Sequence, residues 1–371
     1  MLNKIFNFFS YYQWWKNLDK FILTIIITLF LTGLFFSLVS TSLIASDKLE
    51  TNSYFFFFKH LVFVFLGLFI IFILSYLDQK NLYKISIYFF LLSLILLFLV
   101  PFIGTEIKGS KRWLDLFFLP RFQPIELVKP FFIIILGLII SNEKLSNFTM
   151  KFTISFLLTA LIALLLIMQP DLGQTLLIGF SWIILIFVSG INLLLLISIF
   201  TVGIILLLYT VFYVSKFEYI KNRLLSFFDK ETGTHNFQPD KALDSITSGG
   251  FFGKGIGEGT LKNRVPEAHT DYIISVISEE FGVIAIMLIL ALFLVFIFSI
   301  LKKVDDESNN TSKLILIGSS SLIIFQAMIH IGVNIRLFPT TGMTLPFLSY
   351  GGSSIISVSI LSGIILNLTK R

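Results

Sequence analysis

The chain contains no cysteine, which excludes a disulfide framework and a thiolate metal site. Charge is scarce as well, since Asp, Glu, Lys and Arg make up only 13% of the 371 residues. A soluble protein of this size needs more polar surface than that. The basic residues flank apolar stretches and form no extended tract, so the net charge of +6 does not point to nucleic acid. No small-residue cleavage site follows the first apolar run, and Phe21–Ala45 is expected to stay in the chain as a membrane span. What the sequence has in excess is apolar: 56% hydrophobic residues, with 44 Phe in the chain. This composition predicts an all-α, polytopic membrane protein built as one domain over residues 1–371.

Crossing about 30 Å of hydrocarbon takes roughly 17–25 residues. Ten runs qualify: 21–45, 55–77, 85–103, 125–141, 152–168, 172–189, 191–214, 272–301, 314–337 and 345–368. Only Ser189-Gly190 separates the sixth from the seventh. The fourth is short and opens on charge, which suits a helix lining a cavity. Lys16, Lys20, Lys80, Lys84, Lys302 and Lys303 lie in short segments on the N-terminal side, so the positive-inside rule places both termini in the cytoplasm. The outer segment 104–123 breaks that rule with Lys108, Lys111, Arg112 and Arg121. The longest loop, about 215–270, then lies outside the membrane between the seventh and eighth spans. Within it, 217–229 alternates basic and apolar residues as an interfacial helix does, and 248–259 is glycine-rich.

That loop ends in Arg264-Val-Pro-Glu-Ala-His-Thr-Asp271, directly before the apolar run opening at Tyr272. A carboxylate at the mouth of a membrane helix is unfavourable unless solvated, paired or used. Helix capping by Asp271 or Thr270 accounts for one residue. It leaves Lys254, Lys262, Arg264, Glu267 and His269 in the same approach unexplained, and this stretch is read as the reaction site. The run 249–259 with Lys254 has the amides to cradle phosphate. It lacks the Gly-Lys-Ser/Thr of a nucleotide loop and the strand of a dinucleotide fingerprint, and a flexible re-entrant turn is the plainer reading.

Arg112, Arg121 and Lys129 are candidate anion contacts, and Trp113 an interface anchor or a sugar platform. Glu126 and Lys129 stand one turn apart on a helix face, which also suits a self-neutralising pair that snorkels to the interface. Glu279 and Glu280, inside an apolar run, must reach a cavity, a cation or another helix. Gln169-Pro-Asp-Leu-Gly-Gln174 reads as a tight turn with Asp171 as the helix cap. Phe338–Ser354 gathers prolines, glycines and hydroxyls where the tenth span should begin. Irregular backbone at membrane depth is tolerated only against protein or a wet cavity, so an outward-opening cavity lined also by Asp271 is expected.

Taken in order, Arg112-Trp113, Phe122-Gln-Pro-x-Glu-x-x-Lys129, Gln169-Pro-Asp-x-Gly173, Gly253-x-Gly-x-Gly257, Pro266-Glu-x-His-Thr-Asp271, Glu279-Glu-Phe-Gly282 and Pro346-Phe-x-Ser-Tyr-Gly-Gly-Ser-Ser354 resemble the SEDS family, the bacterial shape, elongation, division and sporulation proteins. The resemblance implies an inverting membrane glycosyltransferase. Such an enzyme polymerises lipid II, an undecaprenyl-pyrophosphate disaccharide pentapeptide, on the extracytoplasmic side of the bacterial cytoplasmic (inner) membrane. The family's essential aspartate falls on Asp271, the expected general base. Lys111, Arg112, Arg121, Gln123, Glu126, Lys129, Lys254, Lys262, Arg264, Glu267, His269, Ser349 and Ser353 are the expected substrate contacts. A class B penicillin-binding protein and other divisome membrane proteins are the implied partners. A divalent cation, Mg2+ or Mn2+, is implied too, though such ions leave almost no ligand signature in a sequence.

Within the family, Trp14-Trp15-Lys-Asn-Leu-Asp19 and Gly342-Met-Thr-Leu-Pro-Phe347 look like the division-type member. The elongation-type enzyme, or a lipid II flippase with broken helices, is the alternative. Ile125 stands where the family has Ser, and Arg264-Val265 where an apolar pair is common. Neither departure removes a charged group.

Overall fold

The structure, a computed structural model, describes residues 8–48, 54–107, 110–116, 120–143, 145, 148–214, 217–228, 237–261 and 265–370. A short helix, α1 (Phe8–Asn17), precedes α2 (Lys20–Lys48), α3 (Phe55–Tyr76) and α4 (Gln79–Ile103). There follow α5 (Pro124–Ser141), α6 (Phe148–Met168), α7 (Leu172–Val188) and α8 (Leu193–Tyr213). The long loop holds α9 (Glu218–Phe228) and α10 (Phe237–Gly249), and the chain closes with α11 (Ile273–Asp306), α12 (Asn310–Asn334) and α13 (Gly352–Leu368). Ten of these fall on the ten expected runs. Eight are long and apolar enough to cross a membrane, while α7 and α13 are shorter. With no water inside a bilayer, helix is the form in which each run satisfies its own backbone. The chain is a multi-pass membrane protein.

The segment 104–123, to which the sequence assigned no secondary structure, forms a hairpin: β1 (Thr105–Ile107) and β2 (Ser110–Trp113) pair antiparallel with Glu106 opposite Lys111, and Leu114 bridges Phe122. Two features differ from the expectation. The tenth span begins at Gly352 rather than at 345, because the preceding backbone turns through positive φ at Gly342 and Phe347. And α10, whose buried face is made largely of small residues (Pro239, Ala242, Ser245 and Gly249), was not expected at all.

At the centre of the bundle, α13 packs on α3 and α5, and α5 on α12. Close approach comes from small residues, as is usual where lipid and protein are equally apolar. A Cβ on Gly67 of α3 would stand 2.3 Å from the Ser359 hydroxyl of α13, and one on Gly137 of α5 would meet Ile315 of α12 at 2.6 Å. One end of the bundle is closed by side chains that cap helices. Asn367 and Lys370 both donate to the last carbonyls of α3, Asn367 to Leu74 and Leu77 and Lys370 to Ser75 and Leu77. Beside them Lys303 pairs with Asp19 at 2.6 Å.

The helix α11 is not continuous. Gly282 has φ 76° and ψ −177°, a conformation essentially confined to glycine. The glycine-rich segment fills the break. Amides of Lys254 and Gly255 donate to the carbonyls of Glu279 and Glu280, and Val283 and Ile284 donate back to Gly250 and Phe251. Where a flexible re-entrant turn was expected, the segment forms a turn tied into the break of α11 by backbone hydrogen bonds. Only glycine allows this approach, since a Cβ on Gly253 would stand 2.1 Å from the Glu280 carbonyl oxygen.

Candidate active site

The other end of the bundle opens into a cavity of about 980 Å³. Its floor and walls come from the first turns of α3, the β1–β2 hairpin, the start of α5, and the segments 267–272 and 340–354. Asp271 lies in a turn in which Thr270, Asp271 and Tyr272 all direct their amides at the Glu267 carbonyl, within 3.1–3.3 Å. Glu267 itself has φ 57°. Tyr272 is the N-cap of α11 and the helix start carries no side-chain cap, so capping does not account for Asp271. Its carboxylate faces the 340–344 segment, with Oδ2 3.6 Å from the position a Cβ would take on Gly342.

The irregular segment and the turn are strapped together. The Ser349 hydroxyl donates to the Thr270 carbonyl at 2.7 Å while accepting from the Leu345 amide, and the Tyr350 amide donates to the His269 carbonyl. Ser349 therefore holds backbone and does not line the cavity. The His269 ring stands between Phe56 and Tyr350. Burial holds its imidazole below the ordinary histidine value against the opposing pull of Glu267. Burial thus favours the uncharged ring, which offers a hydrogen bond or a stacking face to the cavity.

On the α5 side, Arg112, Arg121, Gln123, Glu126 and Ser353 line the cavity. Arg112 donates to the carbonyls of Gln169 and Pro170 and stands 3.7 Å from Asp171. Asp171 caps α7 by accepting from the Gln174 amide, as its position suggests, and also accepts from Gln123. Arg121 pairs with Asp115 at 3.3 Å, both side chains about half exposed. The Ser353 hydroxyl accepts from the Gln123 amide.

The remaining expected contacts sit elsewhere. Lys129 is fully buried and does not snorkel: its ammonium holds Glu126 at 2.8 Å and Gln326 at 3.0 Å, while Gln174 donates to Glu126 at 2.9 Å. Lys254 pairs with Glu279 instead of facing the cavity, and Glu279 also accepts from Ser245 and from the Leu261 amide. Lys111 is exposed on β2. Lys262 and Arg264 lie outside the described residues.

Sequence reasoning passed over Arg223, Gln174 and Gln238, which line the cavity. Arg223 reaches it from α9 and donates to the Thr340 carbonyl at 3.3 Å. The alternating basic pattern of α9 was the available signal, but it marks a helix and not the direction its arginine takes. Among the described residues no group of three or more His, Asp or Glu could hold a metal ion alone. Glu267, Asp271 and the hydroxyl-bearing residues Thr270, Thr340 and Thr341 do line one cavity. That oxygen-only set suits Mg2+ or Mn2+ where phosphate oxygens and water supply most ligands.

Comparison with known proteins finds relatives along nearly the whole chain. Probable peptidoglycan glycosyltransferase FtsW of Caulobacter vibrioides is 30% identical over 359 residues, 96% of this chain and 90% of the relative. The Haemophilus influenzae protein of the same name is 31% identical, covering 94% of this chain and 90% of its own length. Among solved structures, a chain from a peptidoglycan synthase complex described as coordinating polymerization and crosslinking superposes with a TM-score of 0.78 at 25% identity, over 95% of this chain and 97% of that one. The Thermus thermophilus rod shape determining protein RodA gives 0.68 at 27% identity, over 96% and 97%. A family model described as a cell cycle protein, FtsW/RodA/SpoVE, matches residues 19–371, and the chain belongs to that family.

Proposed function

We propose that this protein is a division-type peptidoglycan glycosyltransferase that polymerises lipid II into glycan strands for the septal cell wall. The observation that carries the reading is the cavity, with an aspartate and a glutamate on one wall, arginines on the others, and an apolar flank of Phe55, Phe58, Val62 and Leu66 along α3. A substrate with a sugar, a pyrophosphate and a long apolar tail needs those three surfaces together. The relatives named FtsW favour division over elongation.

In the reaction, the 4-hydroxyl of a glucosamine attacks the anomeric carbon of a lipid-linked sugar with inversion, and the pyrophosphate departs. Asp271 accepts the hydroxyl proton as general base, a contribution of typically 10²–10⁴-fold. Arg112, Arg121 and Arg223 surround the space where negative charge develops on the leaving group. Glu267 is the carboxylate that would hold a divalent cation beside the base, and an ion there would supply further positive charge to the pyrophosphate. Gln123 and Ser353 are placed to bond sugar or peptide groups. The cavity faces the extracytoplasmic side of the cytoplasmic membrane, where a class B penicillin-binding protein crosslinks the product and other divisome membrane proteins assemble.

The test uses purified protein in detergent supplied with lipid II, a setting without sidedness in which a flippase makes no product. The native protein forms glycan strands, and Asp271→Asn folds equally well but loses about 10²–10⁴-fold in rate. Full activity of that variant would remove the assignment. A fluorescent fusion at midcell rather than along the sidewall checks the division role.

A further inference from the structure

Three polar side chains project from one stripe of α12. Gln326, His330 and Asn334 are spaced four residues apart, so each lies almost directly above the last. All are buried, at 4%, 1% and 0% exposure. Polar groups in a membrane helix are unfavourable unless the protein bonds them, and each of these bonds a main-chain carbonyl outside α12. Gln326 Nε2 donates to Thr344 at 3.0 Å. His330 Nδ1 lies 2.8 Å from the Met343 oxygen and carries the proton there, because a carbonyl only accepts. Asn334 Nδ2 donates to the Asp271 oxygen at 3.1 Å and to the His330 oxygen at 2.9 Å.

The three carbonyls belong to two segments, 266–272 and 339–351, that have irregular backbone and both line the cavity. Neither can hold itself in place through a helical ladder. At the lower end of the stripe, Gln326 Oε1 accepts from Lys129, whose ion pair fixes Glu126 on the third wall. A stripe of leucines would fill the same space, so packing alone does not call for these residues.

We infer that this stripe of α12 positions the reaction site, and that Asn334 is the positioning residue for Asp271, setting where its carboxylate meets the sugar hydroxyl. The inference rests on Asp271 being the base. A straight helix is a stiff support, and a displacement of about 1 Å at a reacting group can cost on the order of 10²-fold in rate.

The experiment measures lipid II polymerisation in detergent by Asn334→Ala and Asn334→Leu, scored per folded molecule by monodispersity and melting temperature. Asn334→Leu keeps the branched side-chain shape without donor or charge and serves if the alanine variant does not fold. The expected result is a kcat lowered at least tenfold with KM changed less than about threefold, since the bond lies outside the substrate contacts. A folded variant with kcat within about twofold of the native protein overturns the positioning role, as does failure of both variants to fold, which would make Asn334 structural only. Asp271→Asn is run in parallel: if it is active, the base assignment has failed, whereas if it is dead while the Asn334 variants are unimpaired, only the positioning role has.

Discussion

The inner helices α5 and α12 and the outer helix α8 obey opposite rules. In α5 and α12, 72% and 67% of the spanning window is buried in protein, against 11% in α8. Yet α5 and α12 are the least apolar of the eight long spans. In water, burial and hydrophobicity rise together. In lipid a leucine gains nothing by leaving the acyl chains for the protein interior, so the interior is selected for what lipid cannot offer: hydrogen bonds, ion pairs and close backbone contact. Buried polar groups at the centre of this molecule are therefore what hold its centre together.

The Glu126–Lys129 pair gives the largest expected effect. Lys129→Met leaves the buried Glu126 carboxylate with Gln174 as its remaining donor among the described residues, and breaking one partner of a buried pair destabilises by about 3–5 kcal/mol. Unfolding in detergent by denaturant or heat should show that loss. Glu126→Gln combined with Lys129→Met should recover most of it, because no unpaired charge is left. If the single variant melts like the native protein, the pair is incidental and the contrast between inner and outer helices fails at its strongest point.

Gly282→Ala comes next. The residue holds a φ that side chains avoid, and a Cβ there would lie 2.2 Å from the Phe251 carbonyl oxygen, so both strain and collision oppose it. A loss of at least about 2 kcal/mol is expected, with the glycine-rich segment becoming a site of limited proteolysis. A protease pattern and melting temperature equal to those of the native protein would mean that the break in α11 is not built around this glycine.

How much of this was legible in the sequence follows from the same contrast. The ten apolar helices were readable because bilayer thickness sets the length of an apolar run, and that holds for outer and inner helices alike. Asp171 was readable as a cap because the bond it makes is local. The cations of 104–123 drew notice by breaking the charge rule, and Arg112 and Arg121 do line the cavity. Partners distant in sequence were not readable. Lys254 looked like a phosphate contact beside glycines, but its partner Glu279 is 25 residues away. Lys129 looked able to snorkel, and only the packing of α12 against α5 brings Gln326 to it. Gln326, His330 and Asn334 share one helix face by their four-residue spacing, but that spacing does not say which backbone the face holds. Their partners Thr344, Met343 and Asp271 become visible only in the fold.

The smallest expected effect lies on α8. Leu206 is 59% exposed, on a helix that touches its neighbours little. Leu206→Ala exchanges contacts with acyl chains in the folded state for the same exchange in the unfolded one, so the transfer contribution that dominates in water cancels. The change in stability should stay within about 0.5 kcal/mol, measured as the shift in melting temperature in detergent or bicelles, with polymerisation rate unchanged. A loss of about 2 kcal/mol or more would mean that α8 is gripped by the bundle through Leu206. It would then have to be counted with the inner helices, despite its composition.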